Sequence, residues 1–352
     1  MFTKKRIIRY VILVLVLFLA LLITIFSIGD FKSIYYLLKS QTNYTYILIG
    51  IISILIYAFL MQSSFAILVR KKYKDISYNE AIHIGGTEFF FNGITPFSTG
   101  GQPFQLYALK QKNMKLSDAT SALLVNFLIY QIIINIFSII CFSLYYNKLK
   151  LEIDNLIWLV VFGFTINVLI MTFIVLIGTT KFFGKFMVLI FKLFCKIKFL
   201  KKRLEPKIIS FEVYVNEMQD AFKQMAQNKL TMMLIFIIKI IALFIYYLVP
   251  FFIFYAVGVK IDYHDIFYVI AMTSFSITIT AWVPTPGAAG GIEFAFTTLF
   301  YTFISNYTNP QNIVVSCMLL WRLLTYYLMM IYGFVMYLLF ERGIKYEDRV
   351  IH

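Results

Sequence analysis

Four charged side chains stand inside long apolar stretches of this sequence: Glu88, Lys239, Glu293 and Arg322. A charge at membrane depth is costly, and it persists where it binds, relays or pairs. Arginine can hold a phosphate through two parallel N–H bonds, and lysine offers a compact point charge. The two carboxylates are natural partners for the two cations, or contacts for a cationic group on a ligand. Arg322 with Glu293 and Lys239 with Glu88 are therefore candidates for a phosphate-binding site. They are equally candidates for two buried ion pairs that only fix helix packing. Each cation lies about ten residues into its apolar span, about 15 Å from a helix end at the standard rise.

The other feature with chemical content is a phrase that occurs twice. Thr95-Pro96-Phe97-Ser98-Thr99-Gly100-Gly101 and Thr285-Pro286-Gly287-Ala288-Ala289-Gly290-Gly291 both read Thr-Pro, three residues, Gly-Gly. Each interrupts an apolar stretch. Proline removes a backbone donor and glycine opens dihedrals closed to other residues, so neither copy fits a helix interior. Broken backbone at membrane depth must be satisfied by protein or line a watery cavity. Half-helices ending at such a break aim amides or carbonyls into it, and a helix N-terminus attracts an anion. The hydroxyls of Thr95, Ser98, Thr99 and Thr285 and the amides of Asn92 and Gln102 add polar contacts. The expected substrate-binding set is Glu88, Thr95, Pro96, Gly100, Gly101, Gln102, Lys239, Pro286, Gly287, Gly290, Gly291, Glu293 and Arg322.

The elements that must position these residues follow from composition. Hydrophobic residues make up 61% of 352, charged residues only 14%, and the net charge is +15. That excludes a soluble domain and predicts an all-α polytopic membrane protein. Six spans are expected: Ile7–Ile28, Tyr46–Val69, Ala119–Tyr146, Leu156–Gly178, Leu230–Val257 and Ile313–Phe340. The first follows Lys4-Lys5-Arg6 and is too long for the apolar core of a signal peptide. Two broken stretches, Tyr78–Leu109 and Tyr263–Phe303, carry the two phrases.

Basic residues set topology. With both broken stretches re-entrant and the termini cytoplasmic, 25 of the 32 Lys and Arg fall inside and five outside, leaving Lys239 and Arg322 in spans. The first hairpin then enters from the cytoplasm and the second from outside. Residues 1–150 and 151–352 become halves of an inverted-topology repeat, an arrangement common in secondary transporters. Between them, Lys181–Lys229 interleaves eleven basic residues with Phe, Leu and Ile. That pattern predicts amphipathic helices on an anionic leaflet, or equally a plain charged linker.

Enzyme signatures are not found: no nucleophile–base pair, no phosphate-binding loop and no Cys/His metal cluster, and Cys141, Cys195 and Cys317 lack metal or disulfide spacing. No catalytic residue, metal, cofactor or nucleic-acid partner is expected. A homodimer remains open.

Asn92-Gly93-Ile94-Thr95-Pro96 followed by Gly100-Gly101-Gln102-Pro103 resembles the first signature of the lysylphosphatidylglycerol synthase transmembrane family, also called flippase-like (UPF0104) proteins. Val283-Pro284-Thr285-Pro286-Gly287 with Gly290-Gly291-Ile292-Glu293 resembles the second, and Arg322 in a late span is similar too. The resemblance covers nearly the whole chain. It implies a lipid-translocating domain of a bacterial plasma membrane with a membrane phospholipid as its ligand, similar to the flippase domain of the multiple peptide resistance factors. Those move aminoacylated phosphatidylglycerol between leaflets and carry a soluble domain that makes the lipid from lysyl-tRNA. Here twelve residues follow Phe340, so the lysyltransferase activity attached to the family name is expected to be absent. The alternatives are a lipid-modifying membrane enzyme of that lysyltransferase type, or the transmembrane partner of one, and a scaffold acting through Lys181–Lys229.

Overall fold

Helix starts in this chain are written as caps. Asn43 Oδ1 accepts the Thr45 N–H at 3.0 Å and opens α1, Tyr44–Lys72. Ser77 and Glu80 form a reciprocal capping box for α2, Tyr78–Ile94. After a single 3₁₀ turn, Pro96–Ser98, comes α3, Gly101–Gln111, and then α4, Leu116–Ile153. α5 is Ile157–Thr179; Thr180 caps α6, Lys181–Cys195, and α7 is Ile208–Gln227. Asn228 caps α8, Lys229–Ala256. α9 is Ile266–Thr280, and a second 3₁₀ turn, Pro286–Ala288, leads to α10, Gly291–Phe303. α11, Pro310–Arg322, runs through a π-helical segment, Leu323–Leu328, into α12, Met329–Ile351.

This computed structural model describes residues 39, 42–153, 157–197, 201–202, 204–280 and 283–351. The described chain is all-helical, 88% helix without strands. Five of its helical stretches are long and apolar enough to cross a membrane: Tyr44–Lys72, Leu116–Lys148, Ile157–Thr179, Lys229–Ala256 and Pro310–Ile344. They match five of the six expected spans, and Ile7–Ile28 lies outside the described residues. The two broken stretches appear as helix–turn–helix pairs, α2/α3 and α9/α10.

The packing has an internal regularity. α1 packs on α8, and the first turn packs on the second. α2 packs on α12, as α9 packs on α4. The pairs α1/α2, α2/α3, α3/α4 and α1/α4 recur as α8/α9, α9/α10, α10/α11 and α8/α11. Exchanging α1, α2 and α3 with α8, α9 and α10, and α4 with the α11–α12 span, therefore relates these pairs to one another.

In lipid, helices associate through close packing more than through burial of apolar area. Gly333 lets α12 run against the α2 backbone, since a Cβ there would lie 2.4 Å from the Phe90 nitrogen. Gly163 does the same for α5 and α9, where a Cβ would lie 2.7 Å from the Thr278 carbonyl oxygen. Trp321, wholly buried, stacks on Phe296 with ring centroids 4.8 Å apart.

A polar layer closes one end. Lys72 meets Asp118 at 2.6 Å, Lys115 meets Glu217 at 2.7 Å, and Lys112 at the end of α3 meets Glu80 at the start of α2 at 2.5 Å. Burial pushes the Glu80 carboxyl up, but hydrogen bonds from Lys112 and Ser77 outweigh it and hold it at about 2. A carboxylate depressed in the fold contributes stability above its ordinary 4.5 and loses it as pH falls toward about 2. Replacing Lys112 by Met should cost at most about 1 kcal/mol at pH 7. The difference between the two proteins should shrink between pH 4.5 and 2, read as melting temperature in detergent. A difference that grows on acidification would contradict the sign.

Candidate functional site

The two repeated phrases fold alike. Thr95 and Thr285 are extended, with φ/ψ of −116/145 and −107/152. After each proline come two left-handed residues: Phe97 and Ser98 at φ 57 and 51, Gly287 and Ala288 at φ 59 and 54. Ser98 N–H donates to the Thr95 carbonyl at 3.2 Å, as Ala288 N–H donates to that of Thr285 at 3.0 Å. Only Gly287 of these four adopts the left-handed region without penalty; Phe97, Ser98 and Ala288 each cost about 1–2 kcal/mol. Strain is therefore held in both turns, at the place where they touch.

The turns are tied from one segment of the last span. Arg322 Nη2 donates to the Gly287 carbonyl at 3.1 Å. Its Nε lies 2.9 Å from Glu293 Oε1, an ion pair set off the line of a hydrogen bond. Its guanidinium also lies 4.3 Å from the centroid of the Tyr326 ring. Tyr326, one turn later and inside the π-helical segment, donates its hydroxyl to the Gly93 carbonyl at 2.9 Å, just before the first turn. Glu293 in its turn accepts the Gly290 N–H at 2.7 Å and caps α10. One stretch of helix thus holds both breaks.

Beside the turns lies a cavity of about 660 Å³. Phe97, Ser98, Thr99, Gly287 and Ala288 form its wall at the turns, and Glu88, Lys239 and Arg322 also line it. Of the residues expected from the sequence, Glu88, Gln102, Lys239, Gly287 and Arg322 face it, with Asn92. Thr95, Pro96, Gly100, Gly101, Pro286, Gly290, Gly291 and Glu293 are not in its lining. Several of these build the turns instead. Thr95 Oγ1 accepts the Gly100 N–H at 2.8 Å and Asn92 Oδ1 accepts the Gly101 N–H at 2.8 Å, so those amides, like that of Gly290, are already satisfied.

The ion-pair expectation divides. Arg322–Glu293 is formed, with both side chains 4% exposed. Lys239–Glu88 is not an ion pair. Lys239, wholly buried, donates to the Asn126 carbonyl at 3.1 Å and lies 5.7 Å from the Tyr130 ring centroid. Glu88 accepts from Asn92 at 3.3 Å and from Gln105 at 3.4 Å.

Sequence reasoning missed much of the wall. Tyr57, Tyr130, Tyr246 and Tyr326 line the cavity, as do Gln62, Asn126, Gln131 and Asn167. The tyrosines were hidden among 25. The amides carried a usable signal, because carboxamides inside apolar spans rarely face lipid.

A family model described as "Lysylphosphatidylglycerol synthase TM region" matches residues 7–333. The chain is also 23% identical over 301 residues to a UPF0104 membrane protein of Archaeoglobus fulgidus, covering 80% of this chain and 84% of the relative. No solved structure matches the chain.

Gly287 and Gly290 separate two effects. Both have positive φ, 59 and 87, but a Cβ on Gly287 would lie 2.2 Å from the Tyr326 ring, whereas Gly290 faces open space. Alanine at Gly287, which is left-handed, should lose about 1–2 kcal/mol through the backbone, and alanine at Gly290, at φ 87 and ψ −50, about 1–3 kcal/mol through the backbone alone. Gly287→Ala should lose clearly more than its backbone share in thermal unfolding, because it also displaces Tyr326. A Gly287→Ala loss no larger than about 1–2 kcal/mol would show that Tyr326 gives way freely.

Proposed function

The chain belongs to the lysylphosphatidylglycerol synthase transmembrane-region family and is a multi-pass membrane protein, and on that premise we propose that it moves a phospholipid between leaflets. The observation that carries this reading is the cavity walled by two touching broken turns and bearing three ionisable side chains. Such a lining can host a polar headgroup while acyl chains stay in lipid. Apolar Ile170, Phe173, Ile174 and Ile177 of α5 make part of the cavity wall, on a helix that otherwise exposes residues such as Leu169. That gives a route by which chains can trail outside.

The reading includes an inverted repeat. Its support is the exchange symmetry of the packed pairs and the matched dihedrals of the turns. The arms α2, α3, α9 and α10 have 17, 11, 15 and 13 residues, each short of the roughly 20 needed to span. We read them as re-entrant hairpins entering from opposite sides, with cytoplasmic termini in a bacterial plasma membrane. Alternating access then comes from one half rocking against the other. We further read α6 as lying on an anionic leaflet. It exposes Phe182, Phe186, Leu189 and Leu193 beside a stripe of exposed Lys181, Lys185 and Lys192.

The assignment of phosphate to Arg322 is revised in this reading. Arg322 is engaged by Glu293, the Gly287 carbonyl and Tyr326, and deleting it would leave a buried carboxylate unpaired at a cost of about 3–5 kcal/mol. Arg322→Ala therefore tests folding as much as transport.

Purified protein in vesicles should accelerate leaflet exchange of fluorescent phospholipids over empty vesicles. Ile170→Trp, which fills the cavity from α5, should slow exchange about tenfold or more with little change in melting temperature. Wild-type vesicles no faster than empty ones, whatever the headgroup, would overturn the proposal.

A further inference from the structure

Two ionisable groups in the cavity wall, Lys239 and Glu88, attract each other across a gap but make no direct ion pair. Lys239 has no carboxylate at ion-pair distance, and its ammonium is met only by the Asn126 carbonyl and, at 5.7 Å, the Tyr130 ring. Glu88 has two long amide contacts and no cation at ion-pair distance. Around them are buried polar atoms that lack any partner. Gln62 Nε2 is an unused donor, and Gln105 Oε1 and Asn126 Oδ1 are unused acceptors. These three side chains are 1%, 1% and 9% exposed, and all three line the cavity. Buried polar atoms are ordinarily satisfied, so unsatisfied ones on three side chains that line a single cavity mark a place where a ligand can complete the bonding. The other buried cation on this wall, Arg322, is already paired.

A ligand with one charge would leave the opposite pole uncompensated at low dielectric. Phosphate alone would face Glu88, and an amine alone would face Lys239. A molecule carrying both charges a few bonds apart satisfies both poles and the amides between them. We infer that Lys239 and Glu88 are the two poles of a site for a zwitterionic headgroup, with phosphate on Lys239 and a primary ammonium on Glu88. The inference deepens the reading of the cavity as a headgroup site and rests on it. The chemistry it names, a phosphate linked to an amine, is shared by a lipid headgroup and a free phospho-amine.

Binding to the full-length protein in detergent tests it without any transport step. The probes are phosphatidylethanolamine, phosphatidylglycerol with the same acyl chains, and soluble O-phosphoethanolamine. Wild-type protein should bind phosphatidylethanolamine about tenfold or more tighter than phosphatidylglycerol. Glu88→Gln should remove that preference by weakening phosphatidylethanolamine alone, and Lys239→Gln should weaken both lipids. Glu88→Asp should keep the preference. Equal wild-type affinity for the two lipids, a comparison that needs no variant, overturns the inference. So does a preference that survives Glu88→Gln. O-phosphoethanolamine bound as tightly as the lipid would uphold the two poles while removing the lipid from the proposed function. Tight, selective lipid binding without leaflet exchange would uphold the poles and sink translocation.

Discussion

The structure depends on a grip exerted by two residues one helical turn apart. Arg322 holds the carbonyl of Gly287 and Tyr326 holds the carbonyl of Gly93, so a single stretch of the last span is bonded to both broken segments. Neither break could stand alone. Each carries left-handed residues that cost free energy, and each exposes backbone groups that apolar surroundings do not satisfy. Capping by Thr95, Asn92 and Glu293 satisfies the amides at the helix starts, and the grip fixes the turns against each other. The π-helical segment Leu323–Leu328 begins directly after Arg322 and contains Tyr326. A π-helical turn shifts the angular register of side chains relative to an α-helix. Arg322 and Tyr326, four residues apart, reach the two breaks from one side of the helix.

Much of this fold was legible. Apolar runs located the five long helices because a span has nothing else to be made of. The caps at Asn43, Ser77, Thr180 and Asn228 mark where helices begin. The doubled phrase marked both breaks, because Pro and Gly act locally and survive any tertiary context. The site was less legible. Eight of the expected binding residues shape turns or lie behind them, since a turn that makes a cavity need not be the part of it that faces inward. Tyr326 could not be singled out among many tyrosines, and a π-helical segment leaves no mark in residue type.

The two buried cations show how far the same chemistry can diverge. Arg322 and Lys239 look equivalent in sequence, each roughly ten residues into a span with a carboxylate elsewhere to match. In the fold, Arg322 is enclosed by a carboxylate, a carbonyl and an aromatic face. Planar, multiply donating guanidinium suits that structural knot. Lys239 has a single carbonyl and a more distant ring, and it keeps capacity toward the cavity. A buried charge is a functional signal only after its partners have been counted, and sequence does not count them.

The turns are matched in backbone but not in side chains. Phe97 of the first stands where Gly287 of the second stands, and the cavity carboxylate Glu88 of the first half has Thr278 at its counterpart position. Under the proposed exchange of halves, the inward-open and outward-open forms would be related by a two-fold rotation and equal in energy only if the halves were identical. They are not, so in that scheme the two forms differ in energy and one is the resting state. Such a bias changes how long the site waits on each side. In an uncoupled carrier it would leave the final ratio of lipid between leaflets untouched, because such a carrier alters rates and never an equilibrium. In a carrier of the proposed kind the asymmetry of these two turns would govern kinetics, and any net pumping would need a free-energy source outside the protein.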